Sequence, residues 1–305
     1  MSHEKKNLPG PTGAKHLLSF DVEEYFQVEA ASPGVPRDQW DDYPRRLEPA
    51  VDRVLELLAE RRVSATFFIL GWVAEHERRL VERIVEAGHE IASHGMGHEM
   101  LGRLTSETFR RDVNASRKLL EDISGRPVIG YRAPTFSITR ETAWALDVLS
   151  DSGFLYDSSV FPIHHDRYGV PDAPRFVHRA VGPSRGSILE IPPLTMRLMR
   201  LNLPVGGGGY FRLLPVRVLA RALKAATRRG EHGMLYLHPW ELDPQQPVLP
   251  MSPLSRWRHR IGLGRTQEKL RWLLARFDFT SVRQQMDVLS SAVRVQFDYS
   301  RDPAG

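Results

Sequence analysis

The feature that most limits what this chain can fold into is a series of short apolar runs, each followed by an amphipathic stretch. Runs at 16–20 (HLLSF), 65–70 (ATFFIL), 89–93 (HEIAS), 127–132 (PVIGYR), 154–158 (FLYDS), 187–193 (SILEIPP), 233–238 (GMLYLH) and 279–282 (FTSV) read as buried strands. Between them the spacing predicts helices at 46–60, 73–87, about 105–123, 139–152, 215–228, 266–276 and on to Ser291. Repeated β-then-α units place the strands in one parallel sheet under outer helices. Seven or eight such units point to a single distorted (β/α) barrel rather than an open sheet. The stretch 159–186, with many Pro, Gly, His and Arg, reads as a long covering loop. No shift in composition divides the chain, so 1–15 is expected to be a disordered lead-in, 16–291 one barrel domain and 292–305 a tail.

Composition narrows the chemistry. The 305 residues include no cysteine, which excludes disulfides, thiolate catalysis and thiolate metal sites, so any metal must rest on His, Asp or Glu. Lys and Arg number 42 against 37 Asp and Glu, a net charge of +5, and no nucleic-acid motif accompanies it. No run approaches the ~18 apolar residues of a membrane-spanning helix. The start, MSHEKKNLPGPTGAK, lacks the apolar core of a secretory signal, so a cytoplasmic location is expected.

In a β/α barrel the active site lies where strands end and the following loops begin. The first strand ends in Asp21-Val22-Glu23-Glu24, and strand alternation puts Asp21 and Glu23 on one face. Two neighbouring carboxylates invite a cation between them, although an acidic surface turn satisfies the same pattern. The third strand ends in Ser93-His94-Gly95-Met96-Gly97-His98. Two imidazoles four residues apart, with a carboxylate, make a two-His, one-carboxylate set suited to a divalent ion. Arg132 ends the fourth strand and could orient a carboxylate or a substrate. Asp157 follows the fifth and could equally cap a turn. His238 and Trp240, at the end of 233–238, are candidates for a general acid and a sugar platform, or for ordinary core residues. Of the other aromatics, Trp40, Tyr43 and Tyr210 could stack on a sugar. The run 206–209 (GGGG) lacks the Gly-Lys-Ser/Thr of a phosphate loop and reads as a close-approach or flexible loop over the cleft.

SFDVEE, SHGMGHE, YRAPTFS, LYDSSVFP and YLHPWELD stand in the order found in the polysaccharide deacetylases with a NodB-type domain, the carbohydrate esterase 4 group, which this chain resembles over about 16–290. VEEYFQV, RYGVP and GGGGYFRLLP are similar, more narrowly, to the deacetylases of exosortase-linked exopolysaccharide clusters. The resemblance makes Asp21 the catalytic base and His94 and His98 metal ligands. Arg132 becomes the arginine that holds the base, His238 the acid for the leaving group and Asp157 the carboxylate that tunes it. Where the family has a second adjacent aspartate as third ligand, this chain has Val22, so Glu23, or else Glu24, is expected to serve. Gly95 stands where a Ser or Thr usually braces the histidine loop.

The implied reaction is removal of N-acetyl groups from N-acetylhexosamine units of a polysaccharide or lipid-linked glycan, with Zn as the expected metal and Co or Mn as alternatives. Peripheral contact with the inner membrane face could come from the basic stretch 256–260 with Lys269 and Arg271, which a solvated surface explains as well. Two other readings are an amidohydrolase acting on a small cyclic amide or imide, and a glycan-binding scaffold without catalysis.

Overall fold

The computed structural model describes residues 15–165 and 167–301. Apart from Lys15, the lead-in expected at 1–15 lies outside the described residues.

Five strands come in regular succession: β1 (His16–Val22), β2 (Thr66–Ile69), β3 (Glu90–Ser93), β4 (Gly130–Tyr131) and β5 (Tyr156–Asp157). The second half is less regular. β6 (His178–Val181) and β7 (Ser187–Glu190) form an antiparallel hairpin, as do β8 (Thr195–Leu198) and β9 (Leu201–Pro204). β10 (Met234–Leu237), β11 (Phe279–Thr280) and β12 (Gln296–Asp298) follow.

Neighbouring strands run parallel in the order β10, β1, β2, β3, β4, β5, β7. These seven give the expected distorted (β/α) architecture, with one seam left without a ladder. Between β7 and β10 only single bridges span the gap, Pro193 to Met234 and Gly207 to Tyr236. The glycine run makes that crossing. A Cβ on Gly207 would lie 1.9 Å from the Tyr236 carbonyl oxygen, so only glycine lets the chain pass this close to β10.

Strand alternation sorts the core into two layers. Leu17, Phe68, Ala92, Ile129, Tyr156, Leu189 and Met234, one from each parallel strand or the residue leading into it, pack together as the floor of the barrel. Their neighbours Leu18, Phe20, Val22, Phe67, Ile91, Ile188 and Leu235 face the helices in a second cluster. Counting by twos up β1 from Leu17 leads through Ser19 to Asp21 and then Glu23. The same count leads from Ala92 to His94 and from Met234 through Tyr236 to His238. The register that buries an apolar floor therefore carries polar groups to the strand ends.

Several expectations are corrected. The stretch 159–186 is not all loop, because His178–Val181 pairs with both β7 and β12. β12 lies in the stretch read as a tail, and the adjoining Tyr299 is fully buried and donates to His178 Nε2 at 2.7 Å. The helix expected at 73–87 is two, Gly71–His76 and Arg78–Glu86, broken where Glu77 leaves helical geometry. Helix Pro253–Arg260 was not anticipated; its apolar stripe is too weak to read.

Candidate active site

Glu23, His94 and His98 offer ligand atoms that lie within 4.8 Å of one another, all three side chains buried. His94 Nδ1–H donates to the Arg132 carbonyl at 2.8 Å, which fixes the tautomer and turns Nε2 toward Glu23. The loop from Gly95 to His98 folds back by way of left-handed backbone at both residues (φ 75° and 55°). Asp112 braces it by accepting from the Met96 N–H, a support that replaces the hydroxyl absent at Gly95. Trp240 Nε1 donates to Glu23 Oε1 at 3.3 Å. Glu23 Oε2 lies 2.7 Å from His98 Nε2 and 3.8 Å from His94 Nε2, yet meets no donor in hydrogen-bonding geometry. A buried carboxylate oxygen converging with two imidazole nitrogens is what a divalent ion would satisfy, so this donor set fits one.

Protonation agrees with that fit. Burial alone would raise the Glu23 carboxyl, but His98, His238 and His94 outweigh it and hold it at about 2. Burial pushes the His94 imidazole down to about 4, leaving it neutral as a ligand must be. Val22 faces the outer cluster and cannot be a ligand. Glu24 is used elsewhere: its Oε1 accepts the N–H groups of Arg46 and Leu47 at the start of helix Leu47–Arg61. Burial, offset in part by those bonds, raises it to about 7.

Asp21 stands beside this cluster. Arg132 is fully buried and stacks on Phe68, with 4.1 Å from guanidinium carbon to ring centroid. Its Nη1 reaches Asp21 Oδ1 at 2.6 Å and Ser19 Oγ at 2.9 Å, while Nε and Nη2 donate to the Ser158 carbonyl and hydroxyl. Every nitrogen is used, so one Asp21 oxygen is pinned and Oδ2 is left facing His238 Nε2 at 3.9 Å.

His238 is held from behind by Glu241, whose Oε1 accepts from Nδ1 at 2.7 Å. Burial disfavours its charged form, yet the Glu241 bond, with Glu23 and Asp21, carries it up to about 9. Arg212 lies 3.5 Å from the other Glu241 oxygen and is fixed by the carbonyls of His259 and Ile261. Glu241 and Arg212 escaped the sequence reading. The signal for the first was present in His-Pro-Trp-Glu, since the tight turn Pro239–Leu242 returns residue i+3 to the histidine.

Two expected roles do not hold. Asp157 does not reach His238. It sits opposite Glu190 on β7 and accepts from Ser159. Burial raises both carboxyls, and the Asp157 charge and hydrogen bond raise Glu190 further while the same bond works the other way on Asp157, so the proton of the pair rests on Glu190. Trp240 is no open sugar platform, because His238 and His259 stack on its two faces at 5.0 and 4.7 Å and it is only 5% exposed. Tyr210, 37% exposed, does line the cavity above the site. Trp40 is buried against Trp72 and Phe26. The basic stretch is largely engaged: Lys269 donates to three carbonyls, Arg260 to the Gln246 carbonyl and Arg271 to Glu60, while His259 is buried.

Asp21, Glu23, His94, His98 and His238 stand together in the walls of a cavity of about 740 Å³.

Comparison with known proteins follows the same lines. Residues 39–154 match the polysaccharide deacetylase family, and residues 158–287 match a domain of unknown function, DUF3473. The chain is 34% identical over 112 residues to a chitooligosaccharide deacetylase of Rhizobium leguminosarum bv. trifolii, covering 37% of this chain and 48% of that protein. It is 32% identical over 132 residues to a peptidoglycan deacetylase of Helicobacter pylori, covering 42% and 43%. The chain thus spans less than half the length of these curated relatives. A solved structure from Mycobacterium smegmatis, named for the polysaccharide deacetylases, shares the fold with a TM-score of 0.61 at 21% identity, over 94% of this chain and 96% of that one. The polysaccharide deacetylase match is thus confined to residues 39–154, and the likeness to the solved structure extends the shared fold over nearly the whole chain. Among the described residues no helix is long and apolar enough to cross a membrane.

Proposed function

We propose that the protein is a metal-dependent N-deacetylase acting on N-acetylhexosamine units of a glycan. The observation that carries this is the placing of one arginine-held carboxylate and one glutamate-held histidine around a three-donor metal cluster at the floor of an open cavity. A divalent ion held by Glu23, His94 and His98 would polarise the acetamide carbonyl and acidify a water. We assign Zn, with Co or Mn as the alternatives.

Asp21, with Oδ1 fixed by Arg132, takes the proton from the attacking water through Oδ2. His238 faces it and gives a proton from Nε2 to the leaving nitrogen as the carbon–nitrogen bond breaks. Acetate and a free amine result. Glu241 balances the imidazolium charge while His238 waits, and Trp240 keeps Glu23 aimed at the metal position. The Arg132 bonds to Ser19 and Ser158 prevent Asp21 from turning away between turnovers.

The substrate we assign is an exopolysaccharide or its lipid-linked precursor, a reading supported by the VEEYFQV, RYGVP and GGGGYFRLLP runs. Peripheral membrane contact would fall to the exposed apolar side chains Trp257 and Met199 rather than to the basic side chains around Trp257. The open cavity, which shares wall residues with a second one, suits a polymer better than a small cyclic amide, and a full set of acid, base and ligands disfavours a silent scaffold. The test is acetate release from N-acetylglucosamine oligomers by metal-stripped protein titrated with Zn, Co and Mn. Metal-dependent acetate is expected. A folded, metal-loaded protein that releases none from any oligomer overturns the proposal.

A further inference from the structure

Beside the active-site cavity lies a second, of about 980 Å³. His164, His165, Arg167 and Tyr168 belong to the walls of both, so a chain of sugars lying over Asp21 can continue from one into the other. The far wall is the β8–β9 hairpin. Asn202 pins it by donating to the carbonyls of Pro162 and Pro171, at 2.7 and 3.2 Å.

The second cavity is strongly cationic. Arg140, Arg167, Arg175, Arg197 and Arg200 line it, against Glu141 and Asp172. Asp172 is taken by Arg140. Among the described residues, Arg167, Arg175, Arg197 and Arg200 have no carboxylate partner. Arg197 donates only to the Asn202 amide oxygen and the Met199 carbonyl. Arg175 is half-buried, and burial with the nearby Arg229 and Arg197 holds it below the ordinary arginine range, only partly offset by Glu231. Unpaired guanidinium groups converging on one concavity stabilise a bound anion by charge-assisted, often bidentate, hydrogen bonds.

We infer that this cavity binds an anionic group, a carboxylate or a phosphate, carried by the same glycan whose acetamide reaches Asp21. The inference rests on the deacetylase reading and adds a charge requirement to it: the preferred substrate is an acidic or phosphorylated glycan, not a neutral one. Arg175 and Arg200 read the anion, and the acid-base pair acts on the neighbouring N-acetylhexosamine.

The test is calorimetric binding of three probes to the full chain: N-acetylglucosamine tetramer, the same tetramer as its 1-phosphate, and a hyaluronan tetrasaccharide, whose uronates alternate with N-acetylglucosamine. The phosphate or the uronate probe, or both, should bind about tenfold more tightly than the neutral tetramer, less so at high salt, and which one does so identifies the source of the charge. Arg175→Gln/Arg200→Gln should bring the anionic probes to within about twofold of the neutral one, whose affinity stays unchanged. Arg200→Gln alone, on an exposed hairpin, should show part of the loss even if the double variant fails to fold. Equal affinity for all three probes, or a preference that survives the substitutions, overturns the inference. His98→Ala separates the two readings: the anion preference should persist in it. A charge preference without acetate release from any probe counts against the deacetylase and leaves the cationic cavity standing.

Discussion

The two halves of the barrel are built differently and contribute different things. From β1 to β5 the chain keeps to a plain strand-then-helix rhythm and places Asp21, Glu23, His94, His98 and Arg132 at or just beyond the ends of β1, β3 and β4. From β6 onward it makes two hairpins, passes through a glycine crossing and closes its seam with single bridges. That half supplies His238, Glu241 and Arg212, and Arg197 and Arg200 of the cationic wall. The difference teaches that the proposed metal donors and base stand at, or just beyond, the ends of regular strands. Groups that meet the substrate come from irregular ones, which can change shape without disturbing the floor.

That comparison makes graded claims. The largest effect is expected in the first half: His98→Ala should abolish metal retention and activity together, read by metal analysis and acetate assay. An active, metal-retaining variant would remove the first half's claim to the metal. Asp21→Asn should keep the metal while kcat falls by about 10²–10⁴. Its Tm should fall too, because Arg132 is left buried without a counter-charge.

The second half is sharpened by a contrast of two carboxyls. Glu241→Gln should lower kcat by about 10–10² and move the alkaline limb of its pH profile to lower pH, since His238 loses the charge that helps it keep its proton. Asp157→Asn should leave that profile in place, because the Asp157–Glu190 pair already keeps a proton. If the two variants exchange these behaviours, the assignment of the partner is wrong.

The smallest effect concerns the β6–β12 seam. Burial holds His178 down at about 4 against the model-compound 6.5, so its protonated form is favoured in the unfolded chain. Its contribution to stability is therefore present above pH 6.5 and lost as pH falls toward 4. The Tm advantage of the parent over His178→Phe should shrink by roughly a few degrees between pH 7 and pH 4.5. Parallel profiles would show that the seam does not sense acid.

Much of the first half was legible because one rule, alternation along a strand, both buries Leu17 and lifts Asp21 and Glu23. The HxxxH loop carried its own spacing. What escaped depended on partners distant in the chain. Asp157 was assigned to His238 although it meets Glu190, a pairing created only by the register of β5 on β7. Trp240 read as an exposed platform because nothing local reveals that His259, 19 residues on, will cover it. The strands β6, β8, β9 and β12 are short and sit among Pro, Gly and charged residues, so their patterns never rise above those of a loop.

The wide spacing of the site along the chain also has a consequence for synthesis. β1 lies between β2 and β10, and its partner β10 emerges last of the seven parallel strands. At about 5–20 residues per second, the interval between His98 and His238 leaving the ribosome is roughly 7–28 s. During that interval the nascent chain already has every metal donor but no acid, and one side of β1 is an unpaired edge. Under the proposed assignment the growing polypeptide would complete its ion-binding set well before its acid, and that bare edge is where a chaperone would be needed.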